Sequence, residues 1–373
     1  MQNFVRTFLI CLAMSLVLIF SCTQAKAESI APAGRDTTIT ADFDKSALPA
    51  QVDIWINENG GYDTSNPGLW ARNNWRCLSN SKPDTGQCKS GEAHNNEGDW
   101  DDYGITSIPL LFIEKRSGLH AVINVMGYHT QGSSKFEVTS AESAGSGVAG
   151  SGTNLYMYIT PDQLAALPVG GIWQANMTLE LWQWSPGKKL ANWNAHITLN
   201  VTDNNNQQIY LPEFGTAAPH VDLNLRPLPG TSGNQAMLSG TASLDMCLYD
   251  GYNANSSTFT LNAHDQTSFA DGREASMFSV YNQGQGDEGH RIDYHLEILD
   301  PTTNAYSTMV NMQDYVIRDI QHVPLRSVYL PGIPQPVVCV PSRLRFTTPE
   351  FAIASKQAGQ YTARLRLFLT TQM

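Results

Sequence analysis

Apolar and polar residues alternate with a period of two in segment after segment of this chain. Trp193, Ala195, Ile197, Leu199 and Val201 fall on one face, and Asn194, His196, Thr198 and Asn200 on the other. Val221, Leu223 and Leu225 alternate with Asp222, Asn224 and Arg226, and Ala121, Ile123 and Val125 make a third set. On a pleated strand such a period gathers the apolar residues on one face; on a helix it scatters them. Clusters of Gly, Pro, Asn and Asp separate these segments at intervals that suit a β-sandwich. The expected fold is all-β, with Pro161 to Leu167 as a short helical turn.

The chain also stops on such a segment. Tyr361, Ala363, Leu365, Leu367 and Leu369 share one face, and Thr362, Arg364, Arg366 and Thr370 the other, with Phe368 the exception. Only Thr371, Gln372 and Met373 follow, too few for a further strand. At a sheet edge this strand needs a partner or a cover for its backbone groups, which suggests a subunit completed by another chain. The alternative is a last strand that pairs inside its own sheet.

Residues 1–27 read as a secretory signal. Arg6 lies in the n-region, Phe8 to Phe20 form an apolar run too short to span a bilayer, and Ala25-Lys-Ala27 is a small-x-small cleavage site. Ser21-Cys22 offers a lipoprotein alternative, which the bulky Phe20 disfavours. Cleavage removes Arg6 and Lys26 and no acid, taking the formal charge from −11 to −13. So acidic a chain is a poor partner for nucleic acid or an anionic membrane. Four cysteines survive cleavage: Cys77, Cys88, Cys247 and Cys339. In an exported chain an even count reads as disulfides, and pairing Cys77 with Cys88 and Cys247 with Cys339 puts one bridge in each half. The spacings fit no common zinc pattern.

All eight tryptophans lie at or before Trp193. That asymmetry, with the small-residue stretch Gly215 to Pro219, places a domain boundary near Phe214: residues 28–214 and 215–373. In Ala175 to Trp184, Ala175, Met177, Leu179 and Leu181 make the apolar face, while Trp182 and Trp184 join Asn176, Thr178 and Glu180 on the polar one. Two indoles on a polar face suggest an exposed platform for stacking on a sugar, with Lys188 and Lys189 in the following turn as charges for an acidic one. Against this, the same two side chains could cover the sandwich rim or pack at the domain junction. The acidic run Asn95 to Asp102 resembles a calcium loop in composition but not in ligand order, so a solvated loop is expected and no metal site. Ala144 to Thr153 is Gly/Ser-rich and lacks the ending of a phosphate loop. His290 and His295 would face opposite sides of a strand, which separates them as metal ligands. Neither His-Glu-x-x-His nor Gly-x-Ser-x-Gly occurs, and no cofactor is expected.

Several motifs together carry a family resemblance. They are Val221-Asp-Leu-Asn-Leu-Arg-Pro227, Met246-Cys-Leu-Tyr-Asp-Gly-Tyr252 with Asn255-Ser-Ser257, and Ala358-Gly-Gln-Tyr361 in the second half. The first half adds Glu114-Lys-Arg-Ser117, Gly127-Tyr128, Leu167-Pro-Val-Gly-Gly-Ile-Trp173, Ile197 to Asp203 and Tyr210-Leu-Pro-Glu-Phe214. In this order they resemble the tip-adhesin and pilus-initiator subunits of colonisation-factor fimbriae, the CblD-like family of the alternate chaperone–usher pathway. The resemblance implies two tandem immunoglobulin-like β-sandwiches. The outer one would bind a host-surface receptor, expected to be a glycoconjugate. The inner, pilin-like one would lack its last strand, held open by a periplasmic chaperone at an outer-membrane usher and then filled by the next subunit, the major pilin. It also implies a fimbrial-tip location.

Arg72 matches a basic residue of the family's receptor site. The family's adjacent arginine pair is replaced by Gln183 and Trp184, and an extra cysteine pair of some adhesin domains is missing. The expected receptor residues are therefore Arg72, Trp182, Trp184, Lys188 and Lys189. Two other functions compete with a tip adhesin: a secreted β-sandwich glycoside hydrolase using carboxylates beside the tryptophans, and an initiator with a structural role only.

Overall fold

The computed structural model describes residues 28–372 except 67–68, 71, 93–102, 142–151 and 266–271. The signal segment, the acidic run and the Gly/Ser-rich stretch, apart from its last residues, lie outside the described residues.

The chain forms two β-structures in tandem. In the first, one sheet runs in the order Arg35–Asp44, Gly187–Thr202, Gly171–Trp184, Thr106–Glu114, His120–Gln131, Asn154–Ile159, Val52–Asn59. Asn73–Cys77 pairs with Gly171–Trp184, and Ser134–Glu137 with His120–Gln131. The sheet coils so that its two ends meet. Trp55 of the last strand packs edge-on against Trp193, which packs edge-on against Trp75, at centroid distances of 5.6 and 5.2 Å. The Trp55 indole N–H also donates to the Thr37 hydroxyl of the first strand. Trp55, Trp75, Trp173 and Trp193 therefore belong to the core of this half, Trp75 and Trp173 with no exposed surface.

Alternation predicts these strands well. Ala175, Met177, Leu179, Leu181, Trp193, Ala195, Ile197, Leu199 and Val201 are all buried, as a half-buried strand requires. Pro161–Ala165 is the expected helical turn, with Pro161 at a first-turn position where its missing N–H costs nothing. Arg35–Asp44 runs parallel to Gly187–Thr202 over ten residue pairs. A parallel pair so far apart in sequence has no local signal.

The second structure begins earlier than the composition suggests. Gln208–Tyr210 already pairs with Thr241–Tyr249, so the change of sheet falls between Thr202 and Gln208, ahead of Gly215 to Pro219. Thr241–Tyr249, Val337–Thr347, Arg291–Asp300 and Phe278–Asn282 follow in one sheet. Asp314–Arg318, Thr258–Asp265 and Leu365–Gln372 form the sheet facing it across Phe259, Leu261, Leu296 and Leu344. Both disulfides form as expected, Cys77–Cys88 and Cys247–Cys339.

The two structures meet around a buried carboxylate. Glu114 has no exposed surface. Its Oε2 accepts from the N–H groups of Arg116 and Ser117 and from the Ser117 hydroxyl, at 2.6–2.9 Å. Its Oε1 accepts from Ile172 N–H at 3.1 Å and, across the junction, from Asn255 Nδ2 at 2.9 Å. Asp250 folds the Asp250–Ser256 loop by accepting from the N–H groups of Tyr252, Ala254 and Ser256. Burial, with Asp250 beside it, pushes the Tyr249 phenol well above its ordinary range. Gly171 holds a φ of +152°, and a Cβ there would run into the Glu114 side chain.

Candidate functional site

The Gly171–Trp184 strand spans the first structure from the junction to its far end. The thirteen steps between its fourteen residues, at about 3.3 Å each, make it roughly 43 Å long. Gly171 and Ile172 touch the Glu114 network, and Trp182 to Trp184 lie at the opposite end. Arg72 is there too. Its carbonyl accepts from Trp184 N–H at 2.8 Å, its Nη1 donates to the Ser185 hydroxyl at 3.3 Å, and its guanidinium stands 5.7 Å from the Trp184 ring centroid. Gln183 braces the same corner. Its Oε1 accepts from Trp70 N–H at 3.0 Å, and its Nε2 donates to the Pro186 carbonyl at 3.2 Å.

The tryptophans do not form the expected exposed platform. Trp184 is only 2% exposed and packs with Ala141 and the half-buried Trp182 in a small cluster apart from the main core. Two things defeat the simple alternation. The pairing with Gly187–Thr202 shifts register between Leu181 and Trp182, and Ala141 packs against the Trp184 indole with the Arg72 guanidinium beside its ring. Trp182 is fixed by its indole N–H, which donates to Glu180 Oε2 at 3.0 Å. The other Glu180 oxygen holds the Lys189 ammonium. Lys188 is exposed and makes no ion pair among the described residues. The structure therefore brings Arg72, Trp182, Trp184, Lys188 and Lys189 to one end of the first domain.

A polar cleft of about 730 Å³ lies beside the Cys77–Cys88 bridge, lined by Arg76, Asn80, Gln87, Lys89 and Ser107 among others. It sits where the segment closed by the bridge hydrogen-bonds to two strands, Thr178 N–H donating to the Thr85 carbonyl and Gln87 N–H to the Pro109 carbonyl. Nothing in the residue pattern points to it except the two cysteines. Among the described residues no three His, Cys, Asp or Glu side chains are grouped to hold a metal.

In the second domain, Leu365–Gln372 pairs with Thr258–Asp265 on one side; among the described residues its other edge has no strand partner. Leu365, Leu367 and Leu369 are half-buried against the second core, beside Val221 and Leu223. The strand is shorter than alternation predicts. Tyr361–Thr362 pairs instead with Phe278–Asn282 in the facing sheet, so the chain changes sheet at Ala363 and Arg364, and Ala363 is exposed rather than inward. The Tyr361 hydroxyl donates at 2.9 Å to the carbonyl of Gly289, in the turn that leads into Arg291–Asp300 of that sheet.

Comparison with known proteins agrees with this architecture. Residues 24–204 match the family model of the first domain of CfaE, a fimbrial subunit of CFA/I, and residues 207–373 match that of its second domain. The chain is 30% identical over 313 residues to this CFA/I fimbrial protein of Escherichia coli, covering 81% of each. It is similar to the crystal structure of CfaE, described as the adhesive subunit of CFA/I fimbria of enterotoxigenic Escherichia coli. The TM-score is 0.79 at 28% identity, over 92% of this chain and 94% of that one. It is also similar to a structure described as a chaperone–tip adhesin complex of CFA/I fimbriae, with a TM-score of 0.68 at 28% identity over 92% and 98% of the two chains. Two sandwiches in tandem, the order of the strands and the match of both family models along the chain lead to one conclusion: this protein belongs to the CfaE family of colonisation-factor tip adhesins.

Proposed function

We propose that this fimbrial tip adhesin binds a host-surface glycoconjugate through the end of its first domain that carries Arg72 and Lys188, and accepts a donor strand along the open edge of its second. The observation that carries the reading is the span of Gly171–Trp184, which sets the Arg72 corner about 40 Å from the junction and so away from the edge at Leu365–Gln372. A tip adhesin needs this separation, because one end meets the receptor while the other is joined to the fibre. Arg72 suits an acidic or polyhydroxylated sugar: a planar fork, backed by the Trp184 ring, can hold two oxygens at once. The half-buried leucines at 365, 367 and 369 leave an apolar row for a partner strand to cover. The periplasmic chaperone, the outer-membrane usher and the major pilin are the partners this edge fits in turn. The adhesive character of the relatives favours binding over hydrolysis of a glycan.

The test is Arg72→Ala and Lys188→Ala in residues 28–373, read on glycan arrays and host cells. Binding should fall at least tenfold with circular dichroism unchanged. Trp184→Ala is the wrong probe, since removing a buried indole costs roughly 3–5 kcal/mol by itself. If both variants bind normally, the receptor site is not at this corner, and the cleft beside Cys77–Cys88 is the next place to look.

A further inference from the structure

We infer that the strand completing the second domain is acidic on its outward face, where it passes Arg364 and Arg366. The inference rests on the reading of Leu365–Gln372 as an open edge. Registers in this sheet separate the two faces. Leu365, Leu367 and Leu369 lie opposite Asp265, Ala263 and Leu261; between them Arg366 lies opposite His264, and Phe368 opposite Asn262. The leucines point to the core and the others outward: Arg364 and Arg366 are exposed, and Phe368 is 47% exposed with its ring 4.9 Å from that of His264.

Arg273, Arg291, Arg343 and Arg345 each hold a carboxylate. Arg364 and Arg366, like the exposed Arg226, Arg318 and Arg326, make no ion pair among the described residues, but these two stand beside the open edge. Arg364 stands immediately before the edge strand and Arg366 within it, two neighbouring cations in a protein of formal charge −11. A strand laid along the free edge sends every second side chain to this outer face, about 5 Å from its direct neighbour, where opposite charges stabilise and like charges destabilise the pairing. The donor pattern that follows alternates large apolar residues inward with carboxylates outward near Arg364 and Arg366, then an apolar or β-branched residue beside Phe368. Charges on an exposed edge also deter self-pairing. If that were their only purpose, the sign of the donor's outward charges would not matter.

The experiment fuses one strand after Met373 through a flexible hairpin linker, which makes it antiparallel to Leu365–Gln372. Three versions differ only at the two outward positions facing Arg364 and Arg366, which are Glu, Ser or Lys. In low salt the melting temperature should fall in the order Glu, Ser, Lys, spanning about 4 °C. The span should shrink in 0.5 M NaCl. In an Arg364→Glu/Arg366→Glu chain the order should reverse, which excludes a difference in strand propensity. Equal melting temperatures for the three fusions, all above that of the unfused chain, would overturn the inference and leave the open edge standing. If no fusion raises the melting temperature, the open-edge reading itself fails and takes the inference with it.

Discussion

Removing the Cys247–Cys339 bridge should cost more than removing Cys77–Cys88. The first closes a loop of 92 residues, the second one of 11. Chain-entropy arithmetic at 25 °C gives about 4.6 kcal/mol for the long loop and about 2.8 kcal/mol for the short one, a gap near 2 kcal/mol. Burial widens the gap: Cys247 and Cys339 have no exposed surface, whereas Cys88 is only half-buried. The long bridge also ties Thr241–Tyr249 to Val337–Thr347 beneath residues that pack continuously with the core of the first domain. Paired Cys→Ala variants of residues 28–373, exported to the periplasm, would be compared in soluble yield and in urea unfolding. Because every tryptophan lies in the first half, tryptophan fluorescence follows that domain, and far-ultraviolet circular dichroism follows both. With an m value of about 2 kcal/mol per molar urea, the long-loop pair should lose roughly 1 M more in midpoint than the short-loop pair. Equal losses, or a larger loss from Cys77 and Cys88, would refute the entropy argument.

Two further predictions concern the junction. Burial works to raise the Asp44 carboxyl, but hydrogen bonds from the Ser46 hydroxyl and N–H, Asn204 N–H and the Thr202 hydroxyl outweigh it and bring the pKa down from 3.8 to about 2. A depressed carboxyl stabilises the fold above its unfolded pKa and loses that contribution as pH falls from about 4 through 2. Wild type should therefore melt above Asp44→Asn at pH 6, the difference closing as pH approaches 2; a constant difference would remove the carboxylate from the account. Gly170→Ala should destabilise the protein by roughly 1–3 kcal/mol, because its Cβ would run into the Gly251 carbonyl of the second domain; an unchanged urea midpoint would mean that the junction yields freely there.

Period-two alternation made the fold legible wherever one face of a strand is covered and the other is wet. It placed Trp193 to Val201 and Ala175 to Leu181 correctly, and the core face of the last strand from Leu365 onward. It failed where coverage comes from a distant segment. Trp184 stands on the polar side by count, yet Ala141 and the Arg72 segment bury it, and neither contact is local in sequence. Ala363 fails for a related reason, since nothing in the residues marks where a strand leaves one sheet for the other. The tryptophan asymmetry marks the first domain, but by itself it does not say whether the indoles bind or pack, because aromatic residues serve both purposes. Trp55, Trp75 and Trp193 show it to be chiefly a packing feature, three indoles joining the two ends of one coiled sheet. The family motifs teach the same caution. Glu114, Asp250 and Asn255, prominent in the resemblance, do not line the Arg72 corner; they build the contact between domains. Arg72 lies apart from that contact: its backbone is joined to the far end of the Gly171–Trp184 strand, where its guanidinium meets the Ser185 hydroxyl and the Trp184 ring, a partnership between segments more than a hundred residues apart that no local pattern announces.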